Sequence, residues 1–132
     1  MNIFLSQLFS LEGKTAVVTG AGGYLCGEMS KALAQAGCNV VVLDLRLEKA
    51  KSIETEIKEL CDANNTKLII YQAPIYKTKV VNSNTAFTFV NHSDLLNYKN
   101  DFYNAIHVNK FGRKKVSAEF AVVLQNLLKT NP

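Results

Sequence analysis

The stretch TAVVTGAGGYLCG at residues 15–27 constrains this chain more than any other part of it. Residues 14–19 form a short β-branched and apolar run closing on Gly20, the pattern of a strand buried in a parallel sheet. Leu25, Met29, Leu33 and Ala36 then recur every three to four residues, with Ala32 beside them, which predicts a helix turning that face to the core. Gly37 supplies its left-handed stop. CNVVVLDL follows as a second continuous apolar strand ending in Asp44. Leu47, Ala50, Ile53, Ile57 and Leu60 share one face of a second helix. Strand, helix, strand and helix on such short links make a right-handed βαβ unit on a parallel sheet.

Gly20, Gly22 and Gly23 fall where the first strand turns into the first helix. Glycine there permits positive φ and lets backbone N–H groups approach a pyrophosphate, which the helix N-terminus also favours electrostatically. Asp44 closes the second strand 24 positions after Gly20, a spacing that suits a carboxylate gripping an adenosine ribose diol and repelling a 2′-phosphate. The candidate cofactor contacts are therefore Gly20, Gly22, Gly23, Tyr24, Leu25, Asp44 and Leu45, with NAD favoured over NADP. Arg46 is a possible counter-ion for a phosphate. A plain glycine bend beside an incidental acid is the competing reading.

LEGKTAVVTGAGGYLCGEMSKALAQAGCNVVVLDLR resembles the N-terminus of a short-chain dehydrogenase/reductase, down to the GK before the first strand and the TG after it. The usual loop of that family is TGxxxGxG, and Tyr24 and Cys26 stand here where the pattern has glycine. The double glycine before a bulkier residue is similar to the mannonate or fructuronate oxidoreductase branch. The resemblance implies an α/β fold, namely a partial Rossmann-type doubly wound parallel sheet flanked by helices, with a long C-terminal helix.

Beyond residue 60 the pattern thins. TKLIIYQAP at 66–74 predicts a third strand, while 75–98 reads as a loop with a short strand at AFTFV. A βα unit is missing or degraded here by comparison with the family. The resemblance returns at NDFYNAIHVNKFG, where Phe102, Ile106, Val116, Phe120, Val123, Leu124 and Leu127 keep helical spacing and predict one long helix over 101–129. VNKFG matches the family's asparagine, two residues, then glycine, and so carries Asn109 onto its catalytic asparagine at a bend in that helix. Chance remains the other explanation of so short a motif. The whole of 1–132 is expected to be a single, incomplete domain.

Catalysis in the family needs a serine to hold the substrate oxygen and a tyrosine with lysine four positions on, whose charge lowers the phenol pKa from about 10. The residues four after Tyr24, Tyr71, Tyr76, Tyr98 and Tyr103 are Glu28, Ile75, Val80, Phe102 and His107. None is lysine, and the chain stops where the serine-bearing strand is expected. His92 and His107 have no metal-site spacing, and no metal is expected.

Charge and cysteine usage point to a soluble, reducing setting. Residues 1–60 carry a net −1 and 61–132 a net +5, but the basic residues are scattered apart from Arg113, Lys114 and Lys115. A solvated helix face accounts for that better than a nucleic-acid surface. Cys26, Cys38 and Cys61 lack a CxxC spacing and read as reduced thiols. No apolar run approaches the ~20 residues of a membrane span, and MNIFLSQLFSLEGK has neither the basic lead nor the cleavage site of a signal peptide. A cytoplasmic protein without nucleic-acid or membrane partners is expected. Three functions stay open: a truncated or degenerate oxidoreductase, a non-catalytic nucleotide-responsive module, and an interaction protein. All three imply a homo-oligomer or a complementing chain, because a short parallel sheet leaves an unpaired edge.

Overall fold

A computed structural model of the chain describes residues 3–44, 47–81 and 88–129. The elements run α1 (Ile3–Leu8), β1 (Thr15–Thr19), α2 (Tyr24–Gln35), β2 (Asn39–Leu43), α3 (Leu47–Ala63), β3 (Leu68–Gln72), β4 (Thr88–Asn91) and α4 (Lys110–Lys129). The strands form one sheet in the order β1-β2-β3-β4. β1 pairs in parallel with β2, and β2 with β3, so that Val17 faces Val41 and Val41 faces Ile69. With α2 and α3 between successive parallel strands, this is a partial Rossmann-type α/β fold. It also carries the long C-terminal helix.

The described residues fall into two compact units. The first takes in those of Met1–Tyr71 and Asn84–Phe89, and the second those of Gln72–Ser83 and Val90–Pro132. The core of the first unit gathers Val40, Val42, Leu68 and Ile70 from alternate strand positions. Ala34 of α2 and Ala50, Ile57 and Cys61 of α3 close over them. Period-two alternation explains this selection: the same strand positions face the two helices, and burying a large aliphatic side chain contributes about 1.5–3 kcal/mol.

Helix α2 follows the expected stripe only in part: Leu33 packs against the core, but the N-terminal half of the helix turns a different face inward. Leu25 is 71% exposed and Met29 53% exposed, whereas Gly27, Ser30 and Ala34 are buried. Size is the reason. A Cβ on Gly27 would lie 3.2 Å from the Ala21 carbonyl oxygen and 3.5 Å from Ile53, so only small residues allow α2 to approach β1 and α3 this closely. Lys31 pairs with Glu28 on its own helix at 2.8 Å and reaches across to Glu56 of α3 at 2.5 Å, and both carboxylates raise its pKa. The predicted stop at Gly37 is present, with φ of +84°.

The other differences are local. The short helix α1 has no counterpart in the sequence reading. The expected strand at AFTFV corresponds to β4, with Ala86 and Phe87 outside the described residues. The long helix begins at Lys110, not near Asp101, because residues 99–101 form a 3-10 turn and Phe102 pairs with Val108 in an antiparallel bridge. In the second unit, Ser93 Oγ accepts from the Val80 N–H at 2.8 Å and Asn91 donates to the Val80 carbonyl at 2.6 Å.

Candidate functional site

Gly20 adopts φ of +66°, a left-handed turn that a side chain rarely takes. Its N–H donates to the Leu43 carbonyl at 2.8 Å, and the Gly23 N–H donates back to the Gly20 carbonyl at 2.9 Å. These two bonds curl the chain from β1 into α2 and tie the curl to the end of β2. A third tie comes from Asp44, whose Oδ2 accepts the Gly22 N–H at 3.1 Å. Gly22 is pressed against the start of α3: a Cβ there would lie 2.5 Å from Lys49 Cβ and 2.6 Å from the Lys49 carbonyl carbon. No side chain fits.

Gly23 is the N-cap of α2, in extended conformation and without a side-chain cap bond. The Gly27 N–H makes a helical bond to the Gly23 carbonyl at 2.8 Å, so the N–H groups of Tyr24, Leu25 and Cys26 belong to the first turn, where a helix has no internal partner to offer. No acidic side chain occupies that turn. The positive end of the helix dipole is thus available to an external anion. A left-handed glycine turn, an uncapped helix start and a carboxylate at the end of the next strand fit a dinucleotide's pyrophosphate and ribose. The structure brings Gly20, Gly22, Gly23, Tyr24, Leu25 and Asp44 together in the first unit, while Leu45 lies outside the described residues. Sequence reasoning missed Gly27 and Lys49, although Gly27 was visible as the next glycine of TGAGGYLCG.

Asn109 belongs to the second unit and stands at the start of α4, not inside a helix. Its Oδ1 accepts from the N–H groups of Phe111 and Gly112 at 2.9 and 3.1 Å, and its Nδ2 donates to the Asn100 carbonyl at 2.5 Å. This is N-capping, the role for which a short amide side chain is best suited. Gly112 is buried against the Asp101 backbone. The Asp101 carboxylate, itself buried, accepts both its bonds from Lys115 at 2.8 and 2.9 Å.

Burial also moves the titration of several groups away from the glycine turn. Burial pushes the Tyr71 phenol up to about 12, and it likewise raises the Cys38 and Cys61 thiols. His92 is lowered by burial, with Glu119 and Asp94 pulling partly the other way. Among the described residues no cluster of His, Cys, Asp and Glu is arranged to hold a metal ion, and no helix is long and apolar enough to cross a membrane.

The fold and the turn define a Rossmann-type βαβ unit. A family model described as short chain dehydrogenase matches residues 14–126, and the chain belongs to that family. It is 42% identical over 59 residues to an uncharacterized oxidoreductase of Haemophilus influenzae, covering 45% of this chain and 20% of that protein. Over 57 residues it is 40% identical to the uncharacterized oxidoreductase UxuB of Bacillus subtilis, covering 43% and 19%. Over 77 residues it is 34% identical to the sorbose reductase sou1 of Schizosaccharomyces pombe, covering 58% and 29%. The matched segments thus span less than a third of each relative's length. No solved structure matches at a comparable level of significance.

Proposed function

We propose that this chain is the dinucleotide-binding part of a short-chain dehydrogenase/reductase-type oxidoreductase, that it takes NAD in preference to NADP, and that it does not catalyse alone. The observation that carries the reading is the Gly22–Asp44 bond beside the uncapped start of α2. When bound, the nicotinamide supplies hydride transfer. The N–H groups of Tyr24, Leu25 and Cys26 would hold the pyrophosphate, with Gly20 and Gly23 shaping the turn. Asp44, and Leu45 next to it, would line the ribose. A 2′-phosphate facing the Asp44 carboxylate costs about 1–3 kcal/mol at a partly solvated site.

Proton transfer is what the chain lacks, since no tyrosine has lysine four positions on. The relay role that family resemblance gives Asn109 has no lysine to serve here, and its side chain caps α4 instead. Assembly with a second copy or a complementing chain is supported by β1, an end strand of the sheet order, where Val17 is 46% exposed. Free cysteines throughout the described residues support a reducing, cytoplasmic setting.

Calorimetric titration of the purified chain tests the cofactor reading. NAD should bind at least about tenfold tighter than NADP, and Asp44→Ala should erase the difference. Equal affinities in the unmodified chain would overturn it. Incubation with NAD and a panel of sugars, sugar acids, polyols and ketones should give no nicotinamide absorbance change; the sorbose reductase similarity makes sugars the first to try. Robust turnover would contradict the claim of catalytic silence.

A further inference from the structure

β1 stands at one end of the sheet order, and its two sides are unlike. The Asn39 N–H donates to the Lys14 carbonyl at 2.9 Å, and the Gly20 N–H to the Leu43 carbonyl at 2.8 Å. Backbone groups alternate in direction along a strand, so those of Lys14, Ala16, Val18 and Gly20 face β2. The backbone groups of Thr15, Val17 and Thr19 point the other way, off the end of the sheet. Such an edge is ordinarily protected by a charged side chain, a proline or a bulge. TAVVT has neither charge nor proline, and its register with β2 runs unbroken from Thr15 to Thr19. Val17 and Thr19 are exposed.

Helix α2 presents an apolar flank on the same side. It packs on β1 and β2 and, towards β3, against α3. A Cβ on Gly27 would meet Ile53 of α3, and Lys31 reaches Glu56. At ~100° per residue, Met29 and Leu33 lie about 200° round from Gly27 and Lys31, on the flank away from α3. That flank overhangs the open edge of β1. Leu33 still touches the core, whereas Met29 is 53% exposed. α2 runs back along β1 from the glycine turn to Ala36, whose carbonyl accepts the Leu11 N–H at 2.9 Å. Its midpoint near Met29 therefore stands over the middle of β1, near Val17.

We propose that a second copy of this chain pairs with that edge: the two β1 strands run antiparallel about a two-fold axis at Val17, and the two α2 helices pack across it. This pairing rests on the assembly part of the proposed function and commits it to one partner and one face. Val17 exchanges both backbone bonds with Val17 of the second copy, and Thr15 does so with Thr19 of the second copy. Threonine pairs are favourable across strands. Charge selects the antiparallel arrangement. It sets Lys14 opposite Gly20 of the second copy, whereas parallel pairing would set the two Lys14 side chains together. The spacing of the helices agrees. Strands lie about 4.8 Å apart, and α2 sits between β1 and β2, so the two α2 axes come about 10 Å apart. Packed helices lie about 8–10 Å apart. The 12 residues of α2 and the 5 of β1 span about 18 and 17 Å, so the two contacts extend over the same length.

Sedimentation equilibrium of the full chain at high micromolar concentration should give twice the chain mass. Val17→Lys sets two ammonium groups opposite each other and should raise the dimer dissociation constant at least about tenfold. Its far-UV circular dichroism should be unchanged, because the Val17 side chain is already 46% exposed. In a Cys26→Ser background, Met29→Cys should give a disulfide-linked dimer on mild oxidation, since it lies at the axis. Leu25→Cys, more exposed but a turn further from the axis, should not. A monomer would overturn the proposal and leave the complementing chain as the partner in the assembly reading. A dimer indifferent to Val17→Lys, and linked no better through Met29→Cys than through Leu25→Cys, would overturn this face while keeping the second copy. Neither result bears on the cofactor reading, which the NAD titration tests by itself.

Discussion

The Gly22 N–H and Asp44 Oδ2 meet at 3.1 Å, joining the glycine turn after β1 to the end of β2. Lys49 stands behind Gly22 with both its Cβ and its backbone, so the turn is closed from that side. Gly22→Ala must therefore push the first turn of α3 away and stretch the bond to Asp44. Overpacking of this kind costs about 1–3 kcal/mol. Denaturant unfolding should show that loss, whereas an unchanged midpoint would mean α3 yields freely and does not brace the turn.

Asn109 and Gly112 should both prove stabilising. Asn109→Ala removes an N-cap, which costs about 1 kcal/mol. Gly112→Ala would ordinarily gain about 1 kcal/mol in a helix interior, but here the added methyl meets the Asp101 carbonyl oxygen and the Leu96 side chain. A net loss above about 1 kcal/mol is expected from the clash. Urea melts of the two variants decide it. A stabilised Gly112→Ala would mean that the Asp101 backbone moves aside without cost and that the close approach at Gly112 is not needed.

These two sites mark where the sequence could be read and where it could not. The βαβα half was legible because continuous apolar strands, Gly37 and the glycine turn are all local signals. The stripe on α2 held at Leu33 but not at Leu25 and Met29, and the reason is physical: those two have the right spacing, but close packing selected Gly27, Ser30 and Ala34, which hydrophobicity does not flag. Periodicity likewise ran Phe102 and Ile106 into the helix beyond them. What separates them from α4 is the Phe102–Val108 bridge and the cap at Asn109, interactions across a turn that apolar spacing does not encode. The Asn109–Gly112 pair was noticed for its spacing, while its contact with Asp101 required the fold.

The three thiols should react in a fixed order. Cys26 is half-exposed on the first turn of α2, whereas Cys38 and Cys61 are buried and their thiols raised by that burial. A thiol-specific reagent such as iodoacetamide should label Cys26 alone in the native chain, because thiolate and access are both needed. Mass spectrometry should find the other two modified only after denaturation. Early labelling of Cys61 would mean that α3 does not cover the sheet as described.

Stability should fall on mild acidification through His92. Its folded pKa lies below the ordinary value of about 6.5, so as pH drops the unfolded chain takes up the proton first. The contribution is full above about 6.5 and is lost as pH falls from there through the folded value. Melting temperatures between about pH 7 and 5 should therefore drop less steeply in His92→Gln than in the parent chain. Parallel curves would show that His92 is already solvated in the native state.

The central claim is that the start of α2 receives a dinucleotide, and amide chemical-shift mapping tests it most directly. In a ¹⁵N-labelled chain titrated with NAD, the largest shifts should fall on the amides of Gly20, Gly22, Gly23, Tyr24, Leu25 and Cys26, with Asp44 following. NADP at the same concentration should move them less. Saturating NAD that leaves the glycine turn unmoved, or that shifts only residues of the second unit, would contradict the account.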